Sequence, residues 1–137
     1  MLALEPLLKT RLQALSALIG WAVRCGTELS DRRIVPAADV RCTGAQVPDN
    51  KAGAVMVAPE WTVTLVVRRS DEAAGQLDAA FAAVLTSLHN WAPGQQGGRG
   101  WEAVRLVRIV EPQFLDEGLA GSELVFNTAA RYISANN

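Results

Sequence analysis

The chain has 137 residues, half of them hydrophobic, and a formal net charge of −1. A chain of this length and apolar content is expected to form one domain, residues 1–137, whose core needs no disulfide or metal. The near-neutral charge excludes the overall positive field that draws a protein onto nucleic acid or anionic lipid, so no sequence-specific nucleic-acid partner is expected. The only lysines are Lys9 and Lys51, and this preference for arginine favours contacts with protein partners.

The cysteines, the histidine and the first segment narrow the class of protein further. Cys25 and Cys42 form no CxxC motif, and with the single histidine, His89, they cannot assemble an ordinary zinc site, so no metal or other cofactor is expected. The apolar first segment carries Glu5 and Lys9, which argues against a membrane span or a secretion signal. We therefore expect a protein of the reducing cytoplasm, with unpaired cysteines and no membrane partner.

The first 25 residues predict a helix and a short strand. Leucines recur three or four residues apart from Leu4 to Leu18, which predicts an amphipathic helix that ends at Gly20. Residues 21–25 (WAVRC) alternate well enough to predict a short strand.

The segment between Gly26 and Pro59 gives weaker signals. Prolines and glycines divide it into short pieces, so it predicts mainly loop structure with some β-structure. Within it, residues 40–47 and 54–58 flank the turn-forming sequence PDNKAG, which predicts a protruding β-hairpin.

The sequence EWTVTLVVRR, residues 60–69, is the clearest strand, because apolar and polar residues alternate and β-branched residues are frequent. Ser70 is well placed as an N-cap for a second helix, which continues to about Leu88 with an apolar stripe on one side. Residues 101–110 and 122–132 predict two further strands. Consecutive strands favour an antiparallel sheet, so we expect a two-layer α+β fold with two helices on one sheet face.

Residues 87–101 (SLHNWAPGQQGGRGW) concentrate four glycines in seven residues. A P-loop requires a strand before the glycines and Lys-Ser/Thr after them, whereas this segment leads from a helix to a strand. The dinucleotide-binding pattern GxGxxG fails as well, because the GRG sequence is followed by Trp101 and a strand. We therefore expect residues 92–100 to form an exposed, mobile loop.

His89 is the residue whose chemistry most readily suggests catalysis. A histidine base needs an orienting carboxylate and a nucleophile or water, and no serine or cysteine elbow signature accompanies His89. Its position at the end of the second helix favours capping of the helix terminus instead. We expect no catalytic residue, and a small enzyme that uses His89 with the glycine-rich loop is kept as an alternative.

Polar residues in three places are candidates for contact with another subunit or protein. Two places are arginine doublets, whose ordinary role is solvated charge but which also suit an acidic or phosphate-bearing neighbour. The third is the glycine-rich loop, where polar side chains are expected to make contacts when an assembly orders the loop. The candidate interface residues are Arg32, Arg33, Arg68, Arg69, Gln95, Gln96 and Arg99.

The whole layout resembles the tail terminator proteins of long-tailed bacteriophages, the family of lambda minor tail protein U-like and related prophage proteins. The resemblance rests on the leucine-rich first helix, the irregular segment 26–59 and the strand EWTVTLVVRR running into SDEAAGQLDAAFAAVLTSLHNW. It extends to the closing strands WEAVRLVRIVEP and GSELVFNTAARY. It covers nearly the whole chain, but as a pattern of size and polarity without an invariant motif.

This resemblance implies a structural virion protein without catalysis or cofactor. Six copies would form a ring that caps the phage tail tube, ends tail polymerisation and provides the head-joining surface. The implied partners are other copies of the chain, the tail tube protein and the head-tail connector protein. The implied location is the virion tail, with assembly in the cytoplasm of the bacterial host. The alternative within this class is another head-tail joining or tail component of similar fold.

Overall fold

The computed structural model describes residues 1–135 of the chain. It contains the helices α1 (Glu5–Gln13) and α2 (Ala73–Leu88). Single 3-10 turns, Leu2–Leu4 and Ser16–Leu18, lie on either side of α1. The strands are β1 (Ala22–Cys25), β2 (Ala37–Lys51), β3 (Ala54–Arg68), β4 (Gly94–Gln96), β5 (Arg99–Trp101), β6 (Arg105–Val110), β7 (Leu119–Asn127) and β8 (Ala130–Ile133).

Most of the strands form one sheet in the order β1-β2-β3-β7-β6. β8 pairs with the first part of β3, beyond the end of β7. Neighbouring strands are antiparallel except β1 and β2, which are parallel. β4 and β5 form a separate two-stranded hairpin. Both helices pack on one face of the large sheet, which confirms the predicted two-layer α+β fold with a mainly antiparallel sheet.

The core lies between the helices and this sheet face, because alternate residues of each central strand point towards the helices. In β3 these residues are Trp61, Val63 and Leu65, each at most 2% exposed. They are the side chains that the alternation of EWTVTLVVRR assigned to a single face. The helical segments contribute Leu4, Leu8, Leu12, Leu18, Ala80, Val84 and Leu88.

The opposite sheet face, here called the outer face, carries a row of polar side chains. Arg24 of β1 is paired in register with Asp39 of β2, and Asp39 with Thr64 of β3. Thr64 is in turn paired with Glu123 of β7. Because residues directly opposite each other in a sheet share a face, these four side chains form one line across four strands.

The first helix is shorter than predicted. α1 ends at Gln13, and Leu15 is already extended, with φ −76° and ψ 127°, whereas the leucine spacing predicted a helix to Gly20. The following 3-10 turn still buries Leu18. The physical reason is that an apolar repeat indicates which side chains are buried, and a helix followed by a single 3-10 turn satisfies the same repeat.

Residues 26–59 contain more strand than predicted. The predicted hairpin exists, but each of its strands has 15 residues, and the predicted strand 60–69 is the second half of β3. Pro48 is accommodated because it lies at a register shift between Gln46 and Asp49. Pro59 lies where the pairing of β3 passes from β7 to β8, so its missing N–H removes no ladder bond there.

The segments around the last predicted strands also differ. Residues 92–100 are not simply a loop, because β4 and β5 pair around Gly97 and Gly98, which have φ of +62° and +82°. Two central residues with positive φ are the requirement of a tight type I′ hairpin turn. The predicted strand 101–110 is interrupted before Arg105, and the predicted strand 122–132 divides into β7 and β8.

Candidate interaction surfaces

Seven exposed aliphatic side chains of the described residues lie at the two edges of the large sheet, whereas Leu2, Val47 and Ile133 are exposed elsewhere. We call the residues that flank β1 in the chain the β1 border; they are Ile19, Leu29 and Ile34, which are 80%, 105% and 55% exposed. We call the corresponding residues on and after β6 the β6 border; they are Val107, Ile109, Val110 and Leu115. A small domain ordinarily scatters its exposed aliphatic residues, so two concentrations at opposite edges indicate surfaces that contact another chain.

The β6 border adjoins an open groove between β6 and the end of α2. Leu85, Thr86, His89 and Leu106 line this groove, which has a volume of about 520 Å³. Ile109 lies on the same sheet face as Leu106, because both are paired with core residues of β7. Ile109 is nevertheless 53% exposed, so α2 leaves it uncovered. The groove therefore has apolar walls that a neighbouring side chain would complete.

A third sheet edge, the far part of β2, has a different character. Beyond Val40, the last residue paired with β1, this edge has no partner strand among residues 1–135. It carries Gly44 at φ +137°, Pro48 and two register shifts. Prolines and bulges at an edge prevent another strand from pairing there. This part of β2 therefore offers no regular edge for another strand, although Val47 on it is 55% exposed.

The outer face carries an open cleft of about 560 Å³, here called the outer cleft. One wall is the connection between β1 and β2, which contributes Gly26 and Arg32. The other wall is the connection between β6 and β7, which contributes Pro112, Gln113 and Phe114. The floor is the polar row of the sheet and the residue beside it, Asp39, Arg41, Thr64 and Glu123.

The floor of the outer cleft contains a buried ion pair. The Arg24 side chain is 6% exposed, and its Nε and Nη2 donate to the two carboxylate oxygens of Asp39 at 2.5 and 2.9 Å. Its Nη1 donates to the carbonyls of Asp31 and Ile34, at 2.8 and 2.9 Å. This arginine therefore binds the β1–β2 connection to the outer face.

Glycine allows the second wall to approach the sheet. A Cβ atom at Gly121 of β7 would lie 2.4 Å from the Leu65 carbonyl oxygen and 2.9 Å from the Phe114 ring. The missing side chain is thus what permits the Phe114 ring to pack onto the strand. Nearby, Arg108 of β6 reaches Glu60 of β3 with two bonds of 3.1 and 2.9 Å, and these bonds lower the pKa of Glu60.

The predicted arginine doublets lie in two separate places. Beside β1, Arg32 donates to Asp39 and to the Cys25 carbonyl, at 2.9 and 3.2 Å. Its neighbour Arg33 makes a two-point pair with Asp31, which lowers the pKa of that carboxyl. The second doublet stands at the junction of β3 and α2. There the Arg69 side chain donates to the Glu117 carbonyl at 2.8 Å, and the exposed Arg68 side chain makes no hydrogen bond to any described residue.

The three candidates of the glycine-rich segment lie in the β4–β5 hairpin. Arg99 lies over the Tyr132 ring, with its guanidinium carbon 3.8 Å from the ring centre, and Tyr132 also packs edge-on against Trp101. Gln96 donates to the Pro93 carbonyl at 3.2 Å, while Gln95 is exposed. The hairpin is therefore held against β8.

The seven candidates thus do not form one continuous surface. The β4–β5 hairpin is held at the β8 end of β3, and Arg68 and Arg69 stand at the other end of that strand. At about 3.3 Å per residue, Val55, which pairs with Tyr132, and Arg68 are separated by roughly 40 Å along the strand. Arg32 and Arg33 lie beside the β1 border. The structure therefore assigns the candidates to two ends and one edge of the sheet.

His89 connects α2 to β6. Its backbone N–H donates to the Leu85 carbonyl, and its Nδ1 accepts a bond of 3.1 Å from the Leu106 N–H. The imidazole therefore accepts a bond from a strand, whereas the sequence predicted that it caps the helix carbonyls. No side chain among residues 1–135 hydrogen-bonds to the ring. The structure therefore does not give the imidazole an orienting carboxylate.

Cys25 and Cys42 differ in burial, and neither is part of a metal-binding cluster among the described residues. Cys25 is buried, and desolvation together with the nearby Glu5 and Glu28 raises its pKa to about 12. Cys42 is half-buried, and both thiols are free. Residues 1–135 contain no cluster of three or more histidine, cysteine, aspartate or glutamate side chains arranged for a metal ion. In the same range, no helix has the length and apolarity needed to cross a membrane.

Comparison with known proteins gives a fold relationship and no sequence family. No protein-family model matches the chain, and no curated protein sequence is significantly similar to it. Among solved structures, the chain is similar to a chain described as "Virion of native gene transfer agent (GTA) particle". The TM-score is 0.65 and the sequence identity 18%, and the match covers 91% of this chain and 92% of the other. The two chains therefore share their fold over nearly their whole length.

Proposed function

We propose that this chain is a structural protein of a phage-like virion, and specifically a tail terminator. Six copies form a ring on the tail tube, end its polymerisation and provide the surface that joins the head. The observation that carries the proposal is the fold likeness to a chain of a gene transfer agent virion, over nine-tenths of both chains. The sequence resemblance to tail terminator proteins, which covers the same length, supports the finer assignment.

The two borders support a ring in particular. The β1 and β6 borders lie at opposite edges of one open sheet, and they differ in residues and shape. When each copy places its β1 border on the β6 border of the next, the contact is head-to-tail, and a head-to-tail contact that closes produces a ring. Closure uses both borders of every copy. Growth within the plane of the ring then stops.

The remaining candidate residues suit the two axial faces of such a ring. The Arg68–Arg69 end and the β4–β5 hairpin end of the sheet stay free when both borders are used. In the proposal, one end contacts the tail tube protein and the other the head-tail connector protein. The protein acts in the virion tail after assembly in the host cytoplasm, and it needs neither catalysis nor a cofactor.

The ring contact is tested by placing a charge on one border. Ile109→Glu should abolish ring formation, because a carboxylate in a closed apolar contact would lose its hydration. Ile133→Glu is the matched control, since Ile133 is 72% exposed and lies on β8, away from both borders. Light scattering after gel filtration should find six times the 14.7 kDa subunit mass for the control and monomer for Ile109→Glu.

Two results would contradict this assignment. Equal ring formation by both variants would show that the β6 border is not the contact. Long tubes formed by the unmodified protein alone would identify it as a tail tube component, the main alternative within the virion class. Circular dichroism melting of both variants shows whether they remain folded, as expected for substitutions at exposed positions.

A further inference from the structure

The outer cleft lies between the β1 and β6 borders, and its walls belong to the connections that also carry Leu29, Ile34 and Leu115. We propose that it binds the carboxylate of a glutamate or aspartate side chain in an extended segment of another protein. The proposal concerns this cleft alone and does not depend on whether the chain forms a ring. It rests on which hydrogen-bonding groups of the cleft are already used and which are free.

The acidic groups of the cleft are largely occupied. Both oxygens of Asp39 accept bonds from Arg24, and one also accepts a bond from Arg32. One oxygen of Glu123 accepts a bond of 2.9 Å from the Thr64 hydroxyl. These carboxylates therefore hold the floor of the cleft together, and they are 17% and 19% exposed.

The free capacity of the cleft consists mainly of donors. Arg41 is 53% exposed, and its only ion pair within residues 1–135 is a distant one, 3.9 Å from Glu123. Its side chain makes no hydrogen bond to a described residue. The Arg32 side chain is 45% exposed and uses two nitrogens, so one further guanidinium nitrogen of its fork is open. An acceptor that enters the cleft would therefore meet two half-exposed guanidinium groups.

The walls of the cleft suit the rest of an acidic side chain. Phe114 offers an apolar surface to methylene groups, and the exposed Gln113 offers an amide to the backbone of an extended segment. Gly26 lies against Arg41, since a Cβ there would be 3.0 Å from the Arg41 Cγ. The stem of Arg41 is thus supported while its charged end stays in the opening.

The charges favour a singly charged carboxylate over a phosphate group. The guanidinium groups of Arg24, Arg32 and Arg41 stand against the carboxylates of Asp39 and Glu123, which leaves one excess positive charge. A carboxylate matches this excess and suits the planar guanidinium fork. A doubly charged phosphate would exceed it and would be repelled by the two fixed carboxylates.

The probe for this site is a blocked five-residue peptide, Ser-Glu-Ser-Glu-Ser, titrated into the full chain. Binding is followed by NMR of the arginine Nε–Hε signals, and the same peptide with glutamine in place of glutamate is the ligand control. We expect saturable binding of the glutamate peptide, with shifts at Arg41 and Arg32. Arg41→Gln should weaken binding about tenfold or more, the loss expected for a charge-assisted hydrogen bond.

Arg131→Gln is the matched protein control, because the Arg131 side chain is exposed, makes no hydrogen bond to a described residue and lies outside the cleft. It should leave the affinity unchanged. Arg41→Lys, which keeps the charge without the fork, should give an intermediate affinity. If Arg41→Gln fails to fold, the Arg41→Lys result and the glutamine peptide still decide the question.

Several results would overturn the proposal. They are the absence of saturable binding, equal binding of the glutamine peptide, and equal affinities of the Arg41→Gln and Arg131→Gln variants. Inorganic phosphate that binds as tightly as the peptide would show that the cleft selects anions in general and not carboxylates. These results concern the cleft, and the ring contact at the sheet borders is tested separately by Ile109→Glu.

Discussion

Arg24 and Asp39 form a two-point ion pair between parallel strands, beneath the connection that joins those strands. The same guanidinium bonds two carbonyls of that connection. Removal of one partner of a buried pair leaves the other charge poorly compensated. Arg24→Leu should therefore lower the free energy of unfolding by about 3 kcal/mol, as measured by urea denaturation.

The control for this change is Arg33→Gln. Arg33 also pairs with an aspartate, but its side chain is 90% exposed, so no measurable change is expected. The double variant Arg24→Leu, Asp39→Leu should recover part of the loss, because it removes both charges together. A loss below about 1 kcal/mol for Arg24→Leu alone would show that the pair does not hold the connection.

Two glycines give opposite predictions for the same substitution. Gly121→Ala would place a Cβ atom against the Leu65 carbonyl and the Phe114 ring, and should destabilise the protein by about 2–3 kcal/mol. Gly75 in α2 has no atom within 4 Å of its Cβ position, so Gly75→Ala should stabilise by about 0.5–1 kcal/mol. Thermal melting of both variants measures the difference, and a stable Gly121→Ala variant would contradict the close packing of Phe114.

His89 is expected to have a structural role only. His89→Gln should cost at most about 1 kcal/mol, because the glutamine carbonyl can accept the Leu106 N–H in place of Nδ1. Function should survive, as measured by complementation of the corresponding deletion in a phage. A variant with normal melting that yields no active particles would favour a chemical role for the imidazole.

The two cysteines should differ in reactivity. Since burial raises the pKa of Cys25 to about 12, its thiolate is scarce at pH 8, and iodoacetamide should label Cys42 only in the folded protein. Labelling of Cys25 should appear on unfolding, as mass spectrometry of digested protein would show. Equal labelling of both cysteines at native conditions would contradict the burial of Cys25.

The same shift predicts a dependence of stability on alkaline pH. The pKa of Cys25 is higher in the folded protein than its ordinary value of 9.0, so the folded state binds the proton more tightly. Its contribution to stability is therefore complete below about pH 9 and is lost as the pH rises towards 12. Cys25→Ala should flatten the decline of the unfolding free energy across this range.

Local patterns in the sequence were sufficient for several elements of the fold. The alternation of residues 60–69 correctly gave the buried face of β3, and the apolar stripe correctly gave the end of α2 at Leu88. These features depend on neighbours in the chain, which a sequence displays directly. The predicted N-cap Ser70 was wrong, because α2 begins at Ala73 with Glu72 at its N-cap position, and the Ser70 hydroxyl accepts the Glu72 N–H in the turn before the helix. The length of β2 was missed because Pro48 and Gly44 suggest a loop, and only the bulges of the paired strands show how they are accommodated.

The outer cleft could not be predicted, because it depends on contacts between distant segments. Arg24 stands inside a short apolar strand, and Asp39 follows a proline and two alanines, which is a weak sign of a buried pair. Their partnership needs the parallel register of β1 and β2, and the walls need Gly121 to admit Phe114. Of the predicted interface residues, only Arg32 lines the cleft. Arg41, whose half-exposed guanidinium group is central to the proposed carboxylate site, was not among the predicted interface residues.

Electron microscopy of tail tubes mixed with the purified protein tests the central proposal most directly. A terminator should leave the tubes at a uniform length, with a six-fold ring at one tip, and Ile109→Glu should remove the ring. A dilute solution of the isolated protein is less informative, because the ring contact depends on concentration and on the tube. Tubes that keep growing in the presence of the protein and carry no ring at either tip would contradict the account.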